Sequence, residues 1–192
     1  HQGITEFLSK KAGKKGGESM LIYNKKLSVS PVTTHIPLSQ VNKKINQYKI
    51  VKKVKVINNF YKKVFRKKPN FAILGLNPHN FSSSKKCEEK EIIVKSIKSL
   101  IKLKIKVKGP VSADSSFMFF QKNKFDVIIG MYHDQILTPF KALFNFDATN
   151  VTLGLPYIRT SPDHGVAENI IGKRIANPRS LIESIKFFNY IK

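Results

Sequence analysis

Short apolar runs that break off at a polar, histidine-bearing tip recur along this chain, with helical patterns between them. Leu27-Ser28-Val29-Ser30-Pro31-Val32 leads into Thr33-Thr34-His35, and Phe71-Ala72-Ile73-Leu74-Gly75-Leu76 stops at Asn77-Pro78-His79. Phe125-Asp126-Val127-Ile128-Ile129-Gly130 leads into Met131-Tyr132-His133-Asp134-Gln135. Apolar runs this short, closed by Gly, Pro or Asn, read as buried strands. Strands separated by helices align in parallel, because a parallel neighbour requires a long crossover. The expected fold class is α/β, with a mostly parallel sheet and helices on both faces.

Further strands are expected at Met20–Tyr23, Lys104–Val107 and Val151–Leu155. One or two helices are expected over Leu38–Phe65, where Ile50, Val54, Ile57, Tyr61 and Phe65 fall at helical spacing. Others are expected at Glu88–Leu103, Ser115–Gln121, Gln135–Phe144, Val166–Gly172 and Ser180–Ile191. In open α/β sheets, ligands collect at the carboxyl ends of strands. The histidine-bearing tips share that position, so distant segments are expected to build one site.

The formal charge is +23, from 35 basic and 12 acidic residues. Nearly all of the positive charge is lysine, and the arginines are Arg66, Arg159, Arg174 and Arg179. Readers of bases and phosphates favour arginine for its bidentate fork, and here the lysines are spread along the whole chain. That distribution reads as compositional bias filling solvated faces and argues against nucleic acid as the partner. Cys87 is the sole cysteine, which excludes an intrachain disulfide and a Cys-rich zinc site. No apolar run approaches the roughly 18 residues of a membrane span, and the start does not resemble a signal peptide. A cytoplasmic home is expected, and the chain reads as the carboxy-terminal part of something longer.

His35, His79 and His133 each follow a strand-like run. Neutral imidazoles from three strand ends can hold a divalent metal of the zinc or cobalt kind and leave positions open for a substrate oxygen. Asp114 and Asp134 are the candidate catalytic carboxylates, placed to orient imidazoles or move a proton. Scattered histidines that merely hydrogen-bond loops are the alternative. Lys141, Asn150 and Arg159 can recognise a phosphate or carboxylate, or can be ordinary surface residues. Neither GxGxxG nor GxxxxGK[ST] occurs, so no glycine motif argues for a dinucleotide or a triphosphate.

The motifs together resemble the 4-hydroxythreonine-4-phosphate dehydrogenase family. They are Thr33-Thr34-His35-Ile36-Pro37-Leu38, Gly75-Leu76-Asn77-Pro78-His79, Gly109-Pro110-Val111-Ser112-Ala113-Asp114 and Tyr132-His133-Asp134-Gln135. The run from Asn150 to Thr160, Ser161-Pro162-Asp163-His164-Gly165 and Ile175-Ala176-Asn177-Pro178-Arg179-Ser180-Leu181 follow in the family's order. The resemblance covers nearly all of this chain but only a little over half of a family member. It implies the isocitrate/isopropylmalate dehydrogenase type of fold with its amino-terminal part absent. Residues 1–130 would form the central metal-binding and dimerisation region, and 131–192 the return segment of the cofactor and substrate domain.

The resemblance further implies NAD(P)-dependent oxidation of 4-phosphohydroxy-L-threonine, then decarboxylation to 3-amino-2-oxopropyl phosphate, in vitamin B6 biosynthesis. It implies a divalent metal (Zn, Mg or Co) on His35, His79 and His133, with ligands shared across a homodimer. Thr5, Lys141, Asn150 and Arg159 fall on the family's substrate-contacting positions, and His164 is the candidate to line the cofactor cleft. The chain departs from the family at three places. Ile4 stands where the family has histidine, Ile136 where it has glycine, and Asn80–Lys86 replaces a glycine-rich loop. Two other readings remain: a decayed or truncated relative that keeps fold and metal but not turnover, and a basic nucleic-acid-binding module.

Overall fold

The computed structural model describes residues 4–13, 17–80, 87–165 and 167–191, the side chains of residues 4–6 excepted. In chain order the regular elements are α1 (Ile4–Lys11), β1 (Ser19–Tyr23), β2 (Ser28–Pro31), α2 (Val41–Lys44), α3 (Gln47–Val64), β3 (Phe71–Leu74), α4 (Val94–Lys102), β4 (Val107–Val111), α5 (Ala113–Ser116), β5 (Val127–Gly130), α6 (His133–Phe144), β6 (Thr149–Leu153), β7 (Arg159–Pro162) and α7 (Arg179–Lys186). One seven-stranded sheet runs β4-β3-β5-β2-β1-β6-β7. The first four of these are mutually parallel, while β1, β6 and β7 continue the sheet antiparallel. The α/β fold read from the alternation is therefore present, with the parallel strands gathered in one half of the sheet.

Two apolar layers flank the sheet. One packs Ile50, Val54, Ile57 and Tyr61 of α3, with Ile97 and Leu100 of α4, against Leu21, Phe71, Ile73, Val127, Ile129 and Val151. The other packs Ile136, Leu137 and Phe140 of α6 against Ile22, Val29, Ala72, Leu74 and Ile128. Strand residues alternate between these layers, as the period of two requires. The α3 stripe forms because Ile50, Val54, Ile57 and Tyr61 recur at helical spacing. Asn46 caps its start, its side chain accepting from the Lys49 amide at 2.9 Å. Each fully buried aliphatic chain in these layers contributes on the order of 1.5–3 kcal/mol.

Several expected boundaries move, each for a local reason. The strand expected at Lys104–Val107 is instead Val107–Val111. Lys104 turns with φ 56° as α4 ends, and the Ile105 amide still donates to the Leu100 carbonyl. The ladder then passes through Gly109-Pro110, residues that read as a break in the sequence. A side chain at Gly109 would fall 2.5 Å from the Ile73 carbonyl oxygen, so only glycine permits that strand to approach β3. The helix expected at Ser115–Gln121 is one turn at Ala113–Ser116, followed by turns. The helix expected at Val166–Gly172 contracts to a 3-10 turn at Glu168–Ile170, entered through Ala167 at φ 54°, and Val166 lies outside the described residues. β7 was not anticipated, because Arg-Thr-Ser-Pro carries no apolar alternation.

Candidate active site

The four parallel strands all end on one edge of the sheet, and each delivers a candidate residue there. In sheet order, β4 leads to Asp114, β3 to His79, β5 to His133 and β2 to His35. Antiparallel β1 brings its start to the same edge. Its pairing with β6 and that of β6 with β7 place Arg159 opposite Thr152, near that edge too.

Hydrogen bonds stitch the strand ends together. Between β2 and β5, the Val32 amide donates to the Gly130 carbonyl (2.7 Å), and the Thr33 hydroxyl donates to the Met131 carbonyl (2.8 Å). Between β5 and β3, Gln135 accepts from the Met131 amide through Oε1 and donates to the Gly75 carbonyl through Nε2, both at 2.7 Å. Between β3 and β4, the Gly75 amide donates to the Val111 carbonyl (3.0 Å), and Asn80 Nδ2 donates to the Pro110 carbonyl (3.2 Å). Sequence reasoning assigned no part to Thr33, Gln135 or Asn80, although the first two lie inside motifs it had singled out.

The histidines are distributed unequally along this edge. The rings of His35 and His133 stand 5.7 Å apart, centroid to centroid. His133 opens α6, and its Nδ1 lies 2.6 Å from Asp134 Oδ1. The His79 side chain is 83% exposed, and its Nδ1 is 3.6 Å from Asp114 Oδ2. Its backbone is left-handed, at φ 53° with Asn80 following at 56°. That strained turn is held by Glu89, a carboxylate only 3% exposed, which accepts from the Leu76 amide (2.9 Å), the Asn77 amide (2.8 Å) and Asn77 Nδ2. Burial alone would raise the Glu89 pKa, but the hydrogen bonds from Asn77 and Leu76 outweigh it and hold the carboxyl below its ordinary value. Nothing in the charged stretch Cys87–Glu91 signals that role in sequence.

A divalent cation suits imidazole and carboxylate donors of this kind. One chain supplies the His35 and His133 pair, but among the described residues no three His, Cys, Asp or Glu groups converge on a single point. A complete donor set thus needs His79 to move or a second subunit to contribute.

The polar arm lies on the α6 face of the antiparallel strands. Arg159 donates to the Thr152 hydroxyl at 2.8 Å, and Lys141 Nζ donates to the Asp163 carbonyl at 3.2 Å. Asp163 was not among the expected site residues. Its carboxylate is buried, with Oδ1 3.7 Å from Lys141 Nζ and Oδ2 lacking any hydrogen-bond partner among the described residues. Burial pushes its pKa up, against the opposing pull of Lys141, His133 and His164. Asn150 Oδ1 is a second buried acceptor with no such partner. The structure therefore brings Lys141, Asn150 and Arg159 to one face. His164 is exposed, with its Nδ1 2.9 Å from the carbonyl of Gly165. The side chain of Thr5 lies outside the described residues, as does the loop from Phe81 to Lys86. Among the described residues no helix is long and apolar enough to cross a membrane.

Known proteins resemble this chain in sequence and fold. The family model described as pyridoxal phosphate biosynthetic protein PdxA matches residues 1–188. The 4-hydroxythreonine-4-phosphate dehydrogenase of Sulfurihydrogenibium sp. (strain YO3AOP1) is 43% identical over 194 residues, a match covering 100% of this chain and 59% of that protein. The crystal structure of 4-hydroxythreonine-4-phosphate dehydrogenase from Klebsiella pneumoniae superposes with a TM-score of 0.84 at 33% identity, covering 100% of this chain and 58% of that one. A beta-decarboxylating dehydrogenase from Thermococcus kodakarensis shares the fold alone, at a TM-score of 0.58 and 13% identity. The chain spans 54–59% of the length of the curated relatives it matches.

Proposed function

This chain belongs to the PdxA family of pyridoxal phosphate biosynthetic proteins, and from that premise we propose that it acts in NAD(P)-dependent oxidation of 4-phosphohydroxy-L-threonine. Decarboxylation to 3-amino-2-oxopropyl phosphate then follows. The observation that carries this reading is the shared sheet edge, where Asp114, His79, His133 and His35 arrive in order with Arg159 near them, and Lys141 and Asn150 lie on the α6 face of the adjoining strands. An oxidoreductase of vitamin B6 synthesis, working as a cytoplasmic homodimer on a small phosphorylated amino acid, accounts for all of them.

Arg159 and Lys141 would bind the anionic ends of the substrate, Arg159 as a fork and Lys141 as a point charge. Asn150 and Thr5 would fix its orientation. Asp134 and Asp114 would orient the imidazoles beside them and hold a proton released from the substrate hydroxyl. We assign His35, His79 and His133 to a divalent metal, Zn, Mg or Co, with one ligand drawn from the second subunit. Bound there, such an ion supplies Lewis acidity toward a hydroxyl or carbonyl oxygen. His164 is the residue we place toward the dinucleotide. In this reading residues 1–130 form the metal-binding and dimerisation region, and 131–192 return to the cofactor and substrate domain.

The direct test is NADH or NADPH formation by the purified chain with 4-phosphohydroxy-L-threonine, with and without added Zn or Mg. Reduced cofactor that appears only with metal supports the reading. A metal-loaded chain that forms none favours a homologue that keeps the fold without turnover, a reading the 54–59% coverage of its relatives makes specific. Salt-sensitive, sequence-independent DNA binding would instead support a basic nucleic-acid-binding module.

A further inference from the structure

Asp163 is a carboxylate whose placement stability does not explain. Its side chain is only 9% exposed, and Oδ1 lies 3.7 Å from Lys141 Nζ. Oδ2 has no hydrogen-bond partner among the described residues. At 3.7 Å the carboxylate and the ammonium attract each other without a hydrogen bond. Other lysine–carboxylate pairs of this chain reach solvent. In Lys67–Asp126, Lys95–Glu91 and Lys186–Glu183 the acids stay 21%, 54% and 24% exposed. Such pairs lose little hydration, whereas a buried carboxylate with an unmet oxygen opposes folding. A neutral side chain of the same shape would pack there at less cost.

The backbone on either side of that carboxylate is fixed. The Asp163 amide donates to Ser180 Oγ (2.7 Å), and this buried hydroxyl donates on to the Ala148 carbonyl (2.9 Å). Pro162, just before it, pairs with Thr149 at the end of β7. The Asp163 carbonyl accepts from Lys141 Nζ at 3.2 Å, so the carbonyl and the carboxylate of one anchored residue face the same ammonium. A lysine on its four-carbon stem has many rotamers, and an anchor of this kind selects among them. The carbonyl takes one of three ammonium donors. With 44% of its side chain exposed, Lys141 can still meet a ligand. Arg159, the other cation on this face, is held through the Thr152 hydroxyl.

We propose that Asp163 is a positioning residue, whose carbonyl and carboxylate set the Lys141 ammonium in place for an anionic group of the substrate. Oδ2 is closed to solvent, so Asp163 acts through Lys141 and not on the ligand. The inference rests on the reading of Lys141 as a substrate-binding arm, and its test therefore includes a readout that involves no substrate.

That readout is the rate at which acetic anhydride acetylates Lys141 in the full chain, followed by peptide mass spectrometry. Asp163→Asn should raise it about tenfold, the equivalent of one interaction with a charged group, while exposed Lys98 on α4 reacts as before. The second readout is calorimetric affinity for 4-phosphohydroxy-L-threonine. D163N should weaken it about tenfold, K141M at least as much, and D163N added to K141M by less than about twofold more. The thermal midpoint of D163N at neutral pH should hold or rise. Ser180→Ala, which removes the acceptor of the Asp163 amide and keeps the carboxylate, should move both readouts the same way by a smaller factor. Unchanged Lys141 labelling in D163N overturns the proposal, as does a loss of affinity that persists in full in the K141M background. A clearly lowered midpoint would make Asp163 structural instead. Faster labelling with K141M affinity unchanged upholds the anchor and overturns the substrate reading of Lys141.

Discussion

Ile136 lies directly over Gly130. It is fully buried, and a side-chain carbon placed on Gly130 would come within 2.2 Å of Ile136 Cγ2. The isoleucine that departs from the family's glycine therefore points into the layer between α6 and the sheet, away from the imidazoles, and uses the space that the last residue of β5 leaves empty.

The two positions are thus predicted to be energetically coupled. Ile136→Gly should cost about 3–5 kcal/mol, combining a cavity with the helix penalty of glycine. Gly130→Ala should cost about 1–3 kcal/mol through overpacking. The double variant G130A/I136G should be less destabilised than the sum of its single changes, by at least about 0.5 kcal/mol. Urea unfolding of the four proteins measures this, and strict additivity would refute the contact.

Gln135 holds the ends of β5 and β3 at a fixed separation. Gln135→Leu leaves the Met131 amide and the Gly75 carbonyl without that partner and should cost about 1–3 kcal/mol. The change should be local as well as global, with Met131 amide exchange accelerating more than that of Ile57 in α3. If Gln135 only fills space, the two amides will respond alike.

Glu89 predicts an acid-sensitive turn. Its folded pKa lies below 4.5, so its stabilisation is present above that value and is lost as pH falls through the folded one. Glu89→Gln should lower stability by about 1–2 kcal/mol at neutral pH. The gap from the native chain should close on acidification, as followed by thermal midpoints from pH 7 to pH 3. A constant gap would assign Glu89 a purely steric role.

Asp163 predicts the opposite slope. Its folded pKa lies above 3.8, so its contribution is fully present below that value and is lost as pH rises through the folded one. Asp163→Asn should remove this loss, so the stability of the variant relative to the native chain improves as pH rises through that window. The same midpoints taken in parallel check it, and a flat difference would show that the carboxylate is solvated.

The parallel half of the fold was legible because Phe71–Leu74 and Val127–Gly130 are apolar throughout, as strands buried on both faces must be. The histidine tips were legible for the same reason, since a strand end announces where its next polar residue will lie. The antiparallel half hid more. β7 is held by its pairing with β6 rather than by any apolar pattern of its own, and Ser180 and Ser184 face inward where periodicity favours Leu181 and Ile185. Asp163 and Glu89 were invisible as site residues because their roles depend on amides and ammonium groups brought to them from elsewhere in the chain.

Hydrogen-bonded strands lie about 4.8 Å apart whatever joins them. Thr33 and Met131 are 98 positions apart in the chain, yet they bond across neighbouring strand ends. The edge that carries Asp114, His79, His133 and His35 therefore behaves as a ruler whose graduations are strands. Lengthening or trimming the connections through α3 or α4 slides no mark along it. A slip of one residue within β5 would carry His133 off its mark and turn Ile128 and Ile129 to the wrong layers at once. The spans between the marks can therefore change in length while the strands that carry the marks cannot shift in register.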